Sequence, residues 1–172
     1  MAGLNDQTPF ASVTYFETDR EITIPAGTDF NSLTKIIDDA IPTENIFYAI
    51  KIEGKFSAVR TRSVPAQSRP YKPLVEIAAT QPEFILENVA GAIVGFRCPS
   101  YVAGINVPGY HLHFLSQDQK SGGHLLSFTT AEETVAQIDE THTLTMILPH
   151  DQDFYSVDLT TNKQAELEKV EK

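Results

Sequence analysis

Several features that mark specialised protein classes are scarce or missing in these 172 residues. There is a single cysteine, Cys98, which excludes an intrachain disulfide and a thiolate cage around a metal. No apolar run approaches the roughly 18 residues that a membrane helix needs. The first seven residues have neither the basic nor the apolar segment of a secretory signal. We therefore expect a cytoplasmic protein, a setting that suits a lone reduced cysteine.

Basic residues are also in short supply. The chain has 13 Lys and Arg against 23 Asp and Glu, a formal net charge of −10. An acidic surface repels nucleic-acid phosphates and anionic lipids, so we expect no nucleic-acid partner and no membrane partner. Glycine-rich nucleotide-binding motifs are absent as well. A small-molecule substrate is the partner class that fits, and the oligomeric state stays open, a homodimer included.

The remaining pattern predicts an α+β fold, a predominantly antiparallel or mixed β-sheet with few helices. One helix is indicated by Leu33, Ile36, Ile37 and Ala40, which recur at helical spacing before Pro42. Short stretches rich in β-branched and aromatic residues predict strands at 10–16, 21–24, 74–79, 84–89, 92–97, 110–115, 124–129, 134–139 and 143–148. We expect one domain over residues 1–158 and a charged C-terminal tail over 159–172.

Two arginines end a further predicted strand. Residues 45–52 and 55–62 flank a Glu-Gly pair at 53–54, which indicates a hairpin. Arg60 and Arg62 then share a face with Phe56 and Ala58, which we expect to be buried. A planar guanidinium beside a buried face can clamp a carboxylate through two parallel hydrogen bonds. The alternative is a surface strand whose arginines pair with the surplus acidic residues.

Three histidines form the most informative pattern. His111 and His113, within GYHLHF at 109–114, project from one face of a strand. A turn-forming stretch follows, and His124 begins the next strand after two glycines, so a β-hairpin would bring all three imidazoles together. Three neutral imidazoles suit Zn²⁺ and leave a coordination position open for substrate or water. The alternative is ordinary strand histidines, which is our interpretation of His142. His150 follows Pro149 in a polar loop, where we expect it to be solvated.

Four motifs, in order, resemble bacterial alpha-acetolactate decarboxylase. They are TPFASVT at 8–14, NIFYAIKIEG at 45–54, RTRSVP at 60–65 and GINVPGYHLHF at 104–114. The resemblance runs from about residue 8 to the tail and implies that residues 1–158 form a domain of that family. It also implies an enzyme that converts 2-acetolactate to acetoin and CO₂.

The resemblance assigns roles to particular residues. It implies that His111, His113 and His124 bind zinc and that Arg62 is the active-site arginine, holding the substrate carboxylate. The metal would stabilise the enediolate left by decarboxylation, and a carboxylic acid would protonate it. The family also places a glutamate of the C-terminal tail near the metal, for which Glu171 and then Glu168 are the candidates.

Two other functions stay open at this point. Family members usually carry a catalytic glutamate in a segment upstream of the part that matches residues 8–14, and this sequence begins after that segment. An inactive, shortened decarboxylase is therefore one alternative. Another is a non-enzymatic metal- or ligand-binding module, because a family of plant and prokaryotic domains shares the His-x-His and Gly-Gly-His signature. A cupin-type metal enzyme ranks last, since Asp118 stands where that pattern wants a glutamate.

Overall fold

The computed structural model describes residues 10–68, 72, 76–77 and 80–160. Antiparallel strands dominate this part of the chain, which confirms the predicted α+β class. No helix in it is long and apolar enough to cross a membrane. The elements are β1 (Arg20–Ile24), α1 (Phe30–Ala40), β2 (Phe47–Arg62), β3 (Glu83–Cys98), a 3₁₀ turn (Ser100–Val102), β4 (Gly109–Ser116), β5 (Gly122–Thr130), β6 (Thr134–Thr141) and α2 (Gln152–Ser156).

The sheet closes on itself over four of its six strands. The strand order is β1-β6-β2-β3-β4-β5, and β5 also pairs with β2. Strand β2 makes this possible because it changes partner midway: its first half pairs with β6 and its second half with β5. Each of the four strands β2, β3, β4 and β5 is therefore hydrogen-bonded to two others, which closes them into a ring.

The hydrophobic core lies between the ring and α1. Phe56 contacts Phe114 and Phe128 edge-to-face, with ring centroids 5.6 and 5.9 Å apart, the arrangement that aromatic quadrupoles favour. The apolar stripe of α1 covers this cluster through Leu33 and Ile37, both fully buried. Helix α1 begins after Asp29, whose carboxylate accepts from the Ser32 backbone N–H at 2.8 Å, and it ends before Pro42 as predicted.

The predicted hairpin at 53–54 is wrong. Strand β2 runs without interruption from Phe47 to Arg62, and Gly54 pairs with Gly91 of β3. Gly54 allows Thr134 to approach β2 closely and is not part of a turn. A Cβ at this position would lie 3.0 Å from the Thr134 hydroxyl. Residues 84–89 and 92–97 likewise belong to one strand, β3.

Two further strand predictions are wrong. Residues 10–16 and 143–148 form no strand in the part of the chain that the structure describes. The second segment cannot extend the sheet through β6, because β6 already has β1 on one edge and β2 on the other. Its apolar side chains are consequently exposed, Ile147 most of all at 84%. The predicted strand at 74–79 lies mostly outside the described residues.

Candidate metal centre

Strands β4 and β5 bring the three predicted histidines together. His111 and His113 lie on one face of β4, and His113 is the direct cross-strand partner of His124 on β5. The β4–β5 hairpin predicted from the sequence is therefore present. His124 is in turn the cross-strand partner of Arg62 on β2. The pairing that closes the ring thus places the arginine beside the histidines.

The spacing of the imidazoles fits a metal ion. The possible ligand atoms of His111, His113 and His124 all lie within 4.8 Å of one another. The Nε2 atoms of His111 and His113 are 3.2 Å apart. With metal–nitrogen bonds of about 2.0–2.1 Å, a tetrahedral zinc site separates its ligand nitrogens by about 3.3–3.4 Å. This three-nitrogen set could hold a divalent metal and leave it accessible to substrate.

Arg62 adds a fixed positive charge to this cluster. The residue is 8% exposed, which is low for an arginine. Burial lowers the pKa of His111, and the Arg62 cation lowers it further. Both effects favour neutral imidazole, the form that coordinates metal.

A cavity of about 800 Å³ opens in front of the histidines. Its walls come from β2, β3, β4 and β5 and from the segment that follows residue 9. Phe10 of that segment stacks on His111, with ring centroids 6.3 Å apart and planes 21° apart. None of the described lining residues is acidic, although the chain has 23 acidic residues. Among them, Lys51 and Arg62 carry the permanent positive charges.

An ion-pair network around the buried Arg97 supports the strand that carries His111. Arg97 is 5% exposed, and its Nε donates to Asp38 Oδ1 of α1 at 2.7 Å. Tyr110, the cross-strand partner of Arg97, donates its hydroxyl to the same Asp38 oxygen at 2.8 Å. Burial raises the pKa of Tyr110, and the hydrogen bond to Asp38 raises it further. The network ties α1 to β3 and β4 one residue before the first histidine.

The other predicted site residues have different positions. Arg60 does not share the environment of Arg62: it is half exposed, and its Nε donates to Glu83 at 2.9 Å. The prediction that Arg60 and Arg62 share one face of β2 with a buried Phe56 and Ala58 is wrong in part. Phe56 is buried, but Ser57 is an extra residue opposite β5, which shifts the alternation and leaves Ala58 exposed.

Glu168 and Glu171 lie outside the described residues, and so does most of the predicted tail at 159–172. His142 and His150 are exposed, and neither belongs to the histidine cluster. Sequence reasoning missed Phe10 and Lys51 as pocket residues. Lys51 lies two positions after Ala49 on β2, a spacing that predicts a shared face. Nothing in the sequence indicated that this face borders a cavity.

Comparison with known proteins points in one direction. The family model described as alpha-acetolactate decarboxylase matches residues 2–161. The alpha-acetolactate decarboxylase of Methanosarcina mazei is 47% identical over 96% of this chain and 57% of its own length. That of Brevibacillus brevis is 40% identical over 96% of this chain and 58% of its own length. The chain thus spans somewhat less than three fifths of these two relatives.

A solved structure supports the same relationship. The crystal structure of alpha-acetolactate decarboxylase from Bacillus subtilis strain 168 superposes with a TM-score of 0.92 at 39% identity. The superposition covers 96% of this chain and 71% of that one. The fold, the histidine cluster and the family match over residues 2–161 agree, and the chain belongs to the alpha-acetolactate decarboxylase family.

Proposed function

We propose that this protein decarboxylates 2-acetolactate to acetoin and CO₂ with zinc as its metal. The observation that carries the proposal is the meeting of three imidazoles and one buried arginine at a cavity whose described lining residues include no acid, in a member of this family. The cavity volume lies within the range usual for small-molecule sites. His111, His113 and His124 would hold the metal. When bound, the metal would supply Lewis-acid polarisation of the substrate's ketone and hydroxyl oxygens.

Arg62 is the residue that would bind the substrate carboxylate. Its planar guanidinium can donate two parallel hydrogen bonds, and its burial strengthens them by limiting competition from water. In the reaction, the bond to the carboxylate carbon breaks, CO₂ leaves, and the electron pair moves towards the ketone oxygen. The arginine orients the departing group before this step.

A carboxylic acid would return a proton to the carbon that loses CO₂. Glu171, with Glu168 second, is our candidate, supplied by the tail at 159–172. Proton transfer by a positioned side chain typically contributes about 10²- to 10⁴-fold to the rate. We expect Glu171→Gln or Glu168→Gln to lower kcat by a factor in that range, and Glu166→Gln, a neighbouring change of the same kind, to leave kcat unchanged.

The direct test is acetoin formation from racemic 2-acetolactate by the zinc-loaded 172-residue chain, with a chelator-treated control. Chelator-sensitive turnover is expected. Arg62→Gln should lower kcat/KM about 10- to 100-fold, the cost of losing hydrogen bonds to a charged group, whereas Arg60→Gln should change it little. One bound zinc per chain without turnover would contradict the decarboxylase proposal and favour a metal-binding module or an inactive decarboxylase.

The ligand assignment has its own measurement. Alanine variants of His111, His113 and His124 should each lose stoichiometric zinc in metal analysis, while His142→Ala should retain it. If the three cluster variants still bind one zinc per chain, the metal lies elsewhere.

A further inference from the structure

A single row of cross-strand partners runs around the ring and returns to the strand on which it began. It starts at Lys51 on β2, passes Val94, His113 and His124, and ends at Arg62, again on β2. All five residues line the cavity. The two metal-ligand candidates of the row therefore lie between its two permanent cations.

From this arrangement we propose that Lys51 is a second anion-binding residue of the pocket, opposite Arg62, and that it sets affinity for anionic substrates. The inference rests on the proposed function in that it concerns the same pocket. Neighbouring strands are about 4.8 Å apart. The backbone of Lys51 therefore lies about 10 Å from the backbone of His113, two strand spacings away. That separation is about one Debye length at 0.1 M salt.

Charge balance within the cavity supports a role for this lysine. In a chain of net charge −10, the described cavity wall contains Lys51 and Arg62 and no carboxylate. A positive cleft in an acidic protein concentrates anions locally and speeds their capture. An anionic substrate is therefore attracted by the positive charges at both ends of the row, Lys51 and Arg62.

One carboxylate competes for Lys51. Its Nζ lies 3.1 Å from Glu53 Oε2, and Glu53 is outside the cavity wall with 65% of its side chain exposed. An ion pair this exposed contributes little and is easily exchanged for a better anion. Lys51 is therefore available to a ligand, and removal of the Glu53 charge should strengthen its attraction for anions.

The same strand offers a matched control. Lys55 lies four residues further along β2, is exposed and pairs with Glu132 at 3.3 Å, but it does not line the cavity. Lys51→Gln and Lys55→Gln make the same change in net charge. A difference between them reports the position of the charge in the pocket.

The experiment is calorimetric titration of the full chain, metal-free and zinc-loaded, with 2-hydroxy-2-methylpropanoate. This probe has the carboxylate and hydroxyl of the substrate but no ketone, so it is not turned over. Lys51→Gln should weaken its binding about two- to tenfold, the effect of one charge about 10 Å from an anion held at the histidine cluster in a partly screened medium. Glu53→Gln should tighten binding, Lys51→Arg should preserve it, and Lys55→Gln should leave it unchanged. In 1 M salt the loss in Lys51→Gln should shrink towards none.

The proposal would be overturned by equal affinity in Lys51→Gln and the parent, by equal losses in both lysine variants, or by an equal loss for the neutral amide of the probe. Absence of probe binding to the parent chain would overturn it as well. A failure of the decarboxylase assay alone would not, because the probe measures anion binding without turnover. Where turnover is present, Lys51→Gln should raise KM and leave kcat nearly unchanged.

Discussion

Replacing Gly123 by alanine should damage both the stability of the ring and its metal centre. Gly123 precedes His124 and lies at the point where β5 meets β2. Its φ of +148° belongs to a region that side chains with a Cβ rarely adopt. A Cβ there would also lie 2.5 Å from the Arg62 carbonyl oxygen, about 0.9 Å inside ordinary contact.

The expected loss follows from these two costs. A residue held in a glycine-only backbone region costs about 1–3 kcal/mol, and overpacking against a neighbour costs a similar amount. We expect Gly123→Ala to lower the free energy of unfolding by about 2–5 kcal/mol, a large share of the 5–15 kcal/mol typical of a domain. If the chain relieves the clash by shifting the backbone of β5 just before His124, His124 leaves the position it shares with His111 and His113, and zinc affinity falls.

Gly27→Ala is the control for backbone strain alone. Gly27 has φ +78°, and a Cβ there would meet nothing within 4 Å, so about 1 kcal/mol of destabilisation and unchanged zinc affinity are expected. Urea unfolding of the metal-free proteins and competitive zinc titration measure the two quantities. Equal stability losses in both variants, or normal zinc affinity in a strongly destabilised Gly123→Ala, would refute the coupling between ring closure and the metal centre.

Three further predictions concern residues around the site. The fully buried Thr61 hydroxyl has no hydrogen-bond partner among the described residues, so Thr61→Val should raise the free energy of unfolding by about 1 kcal/mol in urea unfolding; a loss instead would mean that the hydroxyl is bonded. Asp38→Ala should cost about 1.5–3 kcal/mol in the same assay, the usual value of a hydrogen bond to a charged group, because it removes a half-exposed partner of buried Arg97; Glu44→Ala, which removes a mostly exposed partner, should cost less. Burial raises the pKa of Cys98 from 9.0 to about 11, so at pH 8 only about a thousandth of the native thiol is thiolate. Iodoacetamide should therefore modify Cys98 slowly until urea unfolds the chain, and equal rates in both states would contradict its burial.

Local patterns were sufficient for the elements that one stretch of sequence determines. Helix α1 follows from its apolar spacing and Pro42, and the β4–β5 hairpin follows from alternating strands around a polar turn. The hairpin in turn made the histidine cluster predictable. Each of these features depends on residues close together in the chain, which is the range over which periodicity and turn chemistry are informative.

The failures arise where distant segments determine the local structure. The Glu-Gly pair at 53–54 has the composition of a turn, but β2 continues through it because β3 pairs along nearly the full strand. The bulge at Ser57 is another such case, since nothing in the neighbouring residues specifies it. The different environments of Arg60 and Arg62 were equally unpredictable from the neighbouring residues. Glu83, which pairs with Arg60, and His124, which stands opposite Arg62, are far away in sequence.

The closed ring also links metal binding to folding. His113 and His124 belong to a hairpin that can form locally, but Arg62 reaches them only when β5 pairs with β2. Hairpin formation alone can therefore gather much of the metal-ligand set, whereas the carboxylate-binding arginine requires closure of the ring. A metal that binds the closed form better than the open form must stabilise closure by the same differential free energy. Any substrate anion that contacts Arg62 adds to that stabilisation. For a metal with that preference, substrate and metal should bind with positive coupling even without direct contact, because both then favour the same pairing of β2 with β5.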